Sequence, residues 1–280
     1  MSSLFFPQLS SGAVAQYPIK KTRLVRTVKN LLQDGSVLVS SDPGGARVIW
    51  QMVYLDLALQ DLQLLQGHFT SCVGPYHAFT FIDPTDNMLV SSSNVSLASV
   101  PVSGTNVPAW HNSTLIQIEP GIADPNGGTA AFMATNTAQA SQEISQTLTG
   151  PTNAVPANYQ YCFSIYARSA APAQLVLTRG GTSDSQSMTF SIGAGWSRLV
   201  SSGRLNDSGV SFTVAVSLAP GQQVSLYGPQ LEAQISPSRY RPTIGSGGIY
   251  ANAHWGVDQL AVSATAPNLY STSFTIETAV

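Results

Sequence analysis

Apolar and polar positions change rhythm several times along this 280-residue chain. It opens with short β-rich runs at 22–28 (TRLVRTV) and 36–41 (SVLVSS). Residues 47–55 (RVIWQMVYL) form a stronger strand, dense in β-branched and aromatic side chains. Between them, Asp42-Pro43-Gly44-Gly45 reads as a turn. In the stretch that follows, Leu55, Leu59, Leu62, Leu65 and Phe69 recur at helical spacing, which predicts a helix over about 56–71. Gly74-Pro75 ends it. Residues 76–82 (YHAFTFI) alternate as a strand does, and Asp83-Pro84-Thr85-Asp86-Asn87 reads as the next turn.

From residue 88 to 243 the rhythm is that of short strands alone. Runs such as 114–118, 159–167, 174–178, 187–192, 196–200, 210–217 and 223–227 are separated by Gly, Pro, Asn and Ser. Many short strands at turn-punctuated spacing predict a β-sandwich or jelly roll. Residues 244–280 open with the linker-like IGSGG and hold two strand candidates, 258–264 and 270–279. That is too short to fold alone. The fold class expected is mainly β: a split β-sandwich with one helix, plus an inserted jelly roll. The expected boundaries are 1–87, 88–243 and 244–280, the last segment completing the first.

Composition narrows the picture. Charged residues are 9% of the chain against about 25% in an average domain. With 43% hydrophobic residues, this excludes a highly charged disordered chain and a coiled coil. Residues 1–50 hold Lys20, Lys21, Arg23, Arg26, Lys29 and Arg47 against Asp34 and Asp42, a net +4 within a chain of net −2. The basic stretch Lys20–Lys29 reads in two ways: as a solvated strand face, or as a patch facing an acidic subunit or DNA in a lumen. The lysines follow the first apolar stretch instead of preceding it, so no secretory signal is expected. Cys72 and Cys162 are expected to be buried thiols.

Five stretches of the central segment, in order, are similar to the jelly-roll, carbohydrate-binding-like modules of phage tail and tail-tip proteins. They are Trp110 before a strand; Asp124 to Ala130 (DPNGGTA); Tyr161 to Arg168 (YCFSIYAR); Gly195 to Arg198 (GWSR); and Tyr227 to Glu232 (YGPQLE) with Pro237 to Thr243 (PSRYRPT). The flanks, with one helix and an aromatic strand ending in FIDPTDN, resemble distal tail or tail-hub proteins of long-tailed phages. The resemblance implies a structural protein of the virion tail tip, assembled in the host cytoplasm. It implies a self-assembled ring, a hexamer by analogy, bound to tail tube and hub proteins, with the jelly roll turned toward host surface glycans. No apolar run approaches the roughly 20 residues that cross a bilayer, and a net charge of −2 shows no strongly basic balance, so neither membrane insertion nor specific nucleic-acid binding is expected.

Catalytic patterns are missing. There is no G-x-S-x-G, H-E-x-x-H or Walker loop. His68, His77, His111 and His254 do not fall at metal-ligand spacing. Glycoside cleavage needs two carboxylates about 5–10 Å apart, and the few central acids lie mostly in turns. No enzyme and no cofactor are expected, and a structural calcium ion has no acidic cluster to support it. Glu232, in the family-like QLE stretch, reads as structural. Sugar binding instead needs exposed aromatic rings flanked by polar groups. Trp110 and His111 lie in a Pro/Asn/Ser-rich loop. Trp110 reads equally as a binding or a core residue. Tyr159 and Tyr161 share one strand face that Phe163 and Ile165 extend, so a core stripe is the favoured reading there, and Trp196 reads as core. The alternatives are a stand-alone sugar-binding adhesin and, less favoured, a polysaccharide-cleaving tail enzyme.

Overall fold

The computed structural model describes residues 4–95 and 110–279. The elements run β1 (Lys20–Leu31), β2 (Val37–Ala58), α1 (Leu59–Ser71), β3 (Phe79–Ile82), β4 (His111–Asn112), β5 (Ile116–Ile122), β6 (Ala131–Asn136) and β7 (Gln142–Leu148). After the short α2 (Gly150–Asn153) come β8 (Tyr161–Arg168), β9 (Ala173–Gly180), β10 (Ser185–Ile192), β11 (Ser197–Gly203), β12 (Phe212–Leu218) and β13 (Gln223–Glu232). The chain closes with β14 (Ile249–Trp255), β15 (Val262–Ala266) and β16 (Leu269–Ala279). The fold is mainly β and its sheets are largely antiparallel. Among the described residues, no helix is long and apolar enough to cross a membrane.

Contacts divide the chain into two compact units. One joins the residues up to Phe81 with those from Tyr250 onward, and the other is Ile82–Ile249. These limits differ from 87/88 and 243/244 because both junction segments pair within the second unit. Asp83 N donates to Gly248 O at 2.9 Å and Gly248 N donates to Asn87 O at 2.8 Å. The buried Asn87 amide donates to the carbonyls of Pro229 and Arg241, at 3.0 and 3.2 Å, and its oxygen accepts from Leu89 N and Leu231 N. The turn Asp83–Asn87 is therefore part of the jelly roll's framework.

The first unit is a six-stranded sheet in the order β1-β2-β16-β14-β3, with β15 paired to β16. Its core stacks Trp50, Met52 and Tyr54 of β2 with Phe79, Phe81, Trp255 and Phe274, all buried. Trp50 lies 4.9 Å from Phe81, and Trp255 lies 4.4 Å from Phe274, ring centre to ring centre. Helix α1 covers this core with Leu62, Leu65 and His68. It begins at Leu59 because β2 continues through Ala58, so Leu55 and Leu59 are exposed and do not join the buried stripe.

Asp42-Pro43-Gly44-Gly45 is not a turn. It lies inside β2, where the register with β1 slips between Leu24 and Arg26. Arg26 crosses this bulge to pair with Asp42. A Cβ on Gly45 would sit 2.7 Å from Arg26 Cβ, so the second glycine makes room for that crossing. The true reversal is at 32–36, with Gly35 at φ +83°. Gly35 N donates to Leu32 O at 3.0 Å.

His68 is buried under Trp255, whose Nε1 donates to His68 Nδ1 at 3.2 Å. Burial lowers its pKa from 6.5 to about 4, so the folded state holds the imidazole neutral. The unfolded chain takes up a proton as pH falls through about 6.5, while the folded chain resists until about 4. Stability is therefore complete above that window and falls by about 3 kcal/mol on acidification across it. Thermal unfolding between pH 7 and 4 is expected to show this loss in the first unit, and His68→Gln flattens the profile. A His68→Gln profile as steep as that of the unchanged chain would refute the assignment.

Candidate functional site

The second unit is a sandwich of two five-stranded antiparallel sheets, β10-β9-β12-β7-β4 and β11-β8-β13-β6-β5. This is a jelly-roll arrangement. Strand β8 alternates across its sheet: Tyr161, Phe163, Ile165 and Ala167 enter the sandwich, and Cys162, Ser164, Tyr166 and Arg168 take the other face. Cys162 and Cys72 are free and buried, and burial raises both thiol pKa values.

Two of the four sugar-facing candidates prove to be core. Trp110 is buried, and its Nε1 donates to Val90 O at 3.1 Å and Ser91 O at 3.2 Å. It anchors the 88–95 segment and offers no ring face to a ligand. Tyr161 is buried against Phe212 at 4.4 Å, and its hydroxyl donates to Pro156 O at 2.9 Å. Tyr159 is half-buried, and burial pushes its pKa up to about 12. His111 is exposed on β4. Alternation alone does not tell which face of a strand meets its neighbour sheet, so β8's inward stripe and a ligand stripe look the same in sequence.

The face turned away from the sandwich core carries a different aromatic row. Trp196, expected in the core, is half-buried there, with the Arg168 guanidinium 4.8 Å over its ring. Arg198 lies 5.2 Å over Tyr166, Tyr166 is 5.9 Å from Tyr227, and Tyr227 is 5.2 Å from Tyr240. Register produces the row: Arg198 pairs with Tyr166, and Tyr166 with Tyr227. Asn126 Nδ2 donates to the Tyr227 hydroxyl at 3.1 Å. Asn126 is itself placed by the Asp124 carboxylate, which accepts from the N–H groups of Asn126, Gly128 and Ala130. Burial opposes ionisation of Asp124, but these donors outweigh it and hold the carboxyl below its usual range. The conformation of the DPNGGTA stretch thus follows from one aspartate. Part of this face is covered by 234–243. Ser202 Oγ donates to Ile235 O, and the buried Glu232 accepts from Ser238 N at 3.0 Å. The cavity between Phe132, Tyr227, Tyr240 and Pro242 holds about 110 Å³. That is below the roughly 300 Å³ of an enclosed ligand pocket, so a ligand here would lie along the surface.

In the first unit, the chemistry lies on the β1–β2 hairpin. β1 pairs only with β2 among the described residues, so its outer edge is open. At the other edge, β3 is capped: Phe6 N donates to Thr80 O at 2.9 Å and Thr80 N to Leu4 O at 2.8 Å. β1 exposes Leu24, Val25, Val28 and Leu31. The tip and the start of β2 expose Leu32, Val37, Leu38 and Val39. Apolar residues thus occupy both faces of an arm that no described part of the chain covers. Of the basic candidates, Lys21 lies over Trp50 and Tyr250 at 5.7 and 5.8 Å, and Arg26 pairs with Asp42. Lys20, Arg23 and Lys29 are exposed. Arg47 pairs with Glu277 at 3.2 Å. Among the described residues no three His, Cys, Asp or Glu side chains converge as a metal-binding set.

No family model matches this chain, and no curated protein matches it. Solved structures resemble about half of it. The CBM22-1 xylan-binding domain of Paenibacillus barcinonensis Xyn10C is 18% identical over 55% of this chain and 97% of its own, with a TM-score of 0.39. The enzymatically active domain of bacteriophage CBA120 tailspike protein 4 is 10% identical over 54% of this chain and 22% of its own, with a TM-score of 0.38. The Clostridium thermocellum xylanase 10B fragment holding CBM22-1 is 13% identical over 52% of this chain and 27% of its own, with a TM-score of 0.37. The match thus spans about a quarter of these last two proteins. The jelly-roll description rests on the strand pairings above.

Proposed function

We propose that the chain is a structural protein of a phage tail tip, of distal-tail type, which assembles with copies of itself into a ring and displays its jelly roll toward the host surface. The observation that carries this reading is the uncovered hairpin arm. A monomer gains nothing by holding so many Leu and Val side chains in water, and an open strand edge beside them invites association unless a partner covers it. Self-association of the split unit covers both. The sparse charge of the chain suits close packing between subunits, and many ring-borne copies turn weak single contacts into useful avidity. Tail tube and hub proteins are the further partners this reading requires. Negative-stain microscopy of the purified full chain is expected to show closed rings of one subunit number. A field of single 29.5 kDa particles at micromolar concentration would reject the reading.

Glycan contact by the jelly roll is the second part of the proposal. What supports it is the outer row of Trp196, Tyr166 and Tyr227 interleaved with Arg168 and Arg198, since rings cover apolar sugar faces and guanidinium groups donate to hydroxyls or acids. Sugar binding would then run along this face, whereas His111 lies on β4, in the other sheet of the sandwich.

A further inference from the structure

We infer that the outer face of the jelly roll selects glycans that bear carboxylates, and that Arg168 is the side chain that reads the acid. The inference rests on the glycan-contact reading and names the class of sugar. It starts from the way rings and cations alternate on two paired strands. Arg198 of β11 pairs with Tyr166 of β8, and Trp196 stands one residue before Ser197, which pairs with Ala167. Each guanidinium lies over the ring across from it, Arg198 over Tyr166 at 5.2 Å and Arg168 over Trp196 at 4.8 Å. The covered face of each ring is thereby taken and cannot stack on a sugar. What this corner of the face offers instead is a planar cation held flat on a ring, the arrangement in which its fork of N–H donors is pre-organised.

The two arginines are not equivalent. Arg198 is spent on the sheet and on the segment that covers it. One terminal nitrogen donates to Ser238 O at 2.5 Å, the other to Ser164 Oγ at 3.0 Å, and its Nε is buried without a partner. Arg168 makes one long contact, from Nη2 to Ala123 O at 3.4 Å, which leaves most of a guanidinium's donors open. No carboxylate pairs with Arg168 among the described residues. The acids of this sheet and its turns are engaged or distant. Asp124 accepts from three N–H groups of its own turn. Glu232 accepts from Gln234 and Ser238. Glu119 lies on β5, which β6 and β13 separate from β8.

A half-buried cation thus stands without a counter-ion. Partial desolvation strengthens its attraction for an anion. A carboxylate matches the guanidinium fork with two parallel hydrogen bonds, about twice as strong as those a sugar hydroxyl makes. The groups beside Arg168 suit the rest of a sugar. Ser225 is directly across from it on β13, and Tyr166 and Tyr227 follow, 5.9 Å apart. The acid would sit on Arg168, and the ring hydroxyls on Ser225 and the tyrosines.

The test uses the full chain and three immobilised polyuronates, polygalacturonate, alginate and hyaluronate. Each stands beside its methyl ester, which keeps the sugar and removes the charge. Biolayer interferometry is expected to show at least one polyuronate bound about tenfold more tightly than its ester. Added salt should shrink that preference. Arg168→Gln should bring acid and ester to the same level without lowering the melting temperature. Arg168→Lys should restore only part of the preference, because an ammonium group lacks the fork. Esters bound as tightly as the acids, or a preference that survives Arg168→Gln, would overturn the inference and leave glycan contact standing. Polyuronate binding lost in Lys20→Gln with Lys29→Gln, yet kept in Arg168→Gln, would place the anion on the β1–β2 hairpin and overturn it too. Binding to none of these polymers and to no neutral glycan on an array would remove the glycan reading, and the inference with it. Should Arg168→Gln lower the melting temperature, Arg168→Lys, which keeps the stem and the charge, decides by the same ratio of acid to ester.

Discussion

Blunting four apolar side chains of the arm, Leu31, Leu32, Val37 and Leu38, is expected to turn an assembled protein into a monomer. All four are exposed, so folding stability should change by only a few tenths of a kcal/mol per site. Their value appears on association. Covering a Leu or Val fully is worth about 1.5–3 kcal/mol, and these are already partly covered. About 1 kcal/mol each gives about 4 kcal/mol in all, roughly a thousandfold in the association constant. Sedimentation across a thousandfold concentration range checks this. An unchanged melting temperature together with a lost assembly locates the energy between copies. A variant that associates as tightly as the unchanged chain would remove the arm from the account.

The second large effect separates framework from ligand surface in the jelly roll. Trp110→Ala is expected to cost about 3–5 kcal/mol of stability, because it empties a closed site and leaves the carbonyls of Val90 and Ser91 without the indole donor. Trp196→Ala should cost far less, since its ring is half-buried on the outer face. Glycan-array retention should respond in the reverse order: Trp196→Ala and Tyr227→Ala lower it about tenfold or more, while folded His111→Ala changes it little. Such losses match the roughly 1–2 kcal/mol a ring contact contributes. Retention unaffected by Trp196→Ala and Tyr227→Ala would rule out this face.

Sequence showed the elements better than their faces. The β-rich runs and the single long helix follow from periodicity, because apolar spacing reports which secondary structure can bury a stripe. Of the two tryptophans, Trp110, which read equally as binding or core, is core, and Trp196, which read as core, is half-buried on the outer face. Trp110 sits in a polar stretch, yet it is pinned by carbonyls twenty residues earlier that no local pattern announces. Trp196 flanks a strand and looked like core, but the register with β8 sets it beside Arg168 on the outer face. A one-residue shift of register moves a side chain from one face to the other, and register is fixed by partners far away in sequence.

The arm was legible only in part. Its basic residues stood out at once, while its reach did not, because Asp42-Pro43-Gly44-Gly45 carries the chemistry of a turn. In the fold a bulge absorbs the proline and glycines, and β2 runs on for 22 residues. The extra length carries Val37, Leu38 and Val39 beyond the core. The same error placed Leu55 and Leu59 on the buried side of a helix that begins later.

The most direct test of the central claim is the solution mass of the unchanged full chain, measured from nanomolar to micromolar concentration. The account predicts one discrete multiple of 29.5 kDa that dissociates on dilution without passing through a dominant dimer. A mass of 29.5 kDa at every concentration, with the arm still in water, would contradict it.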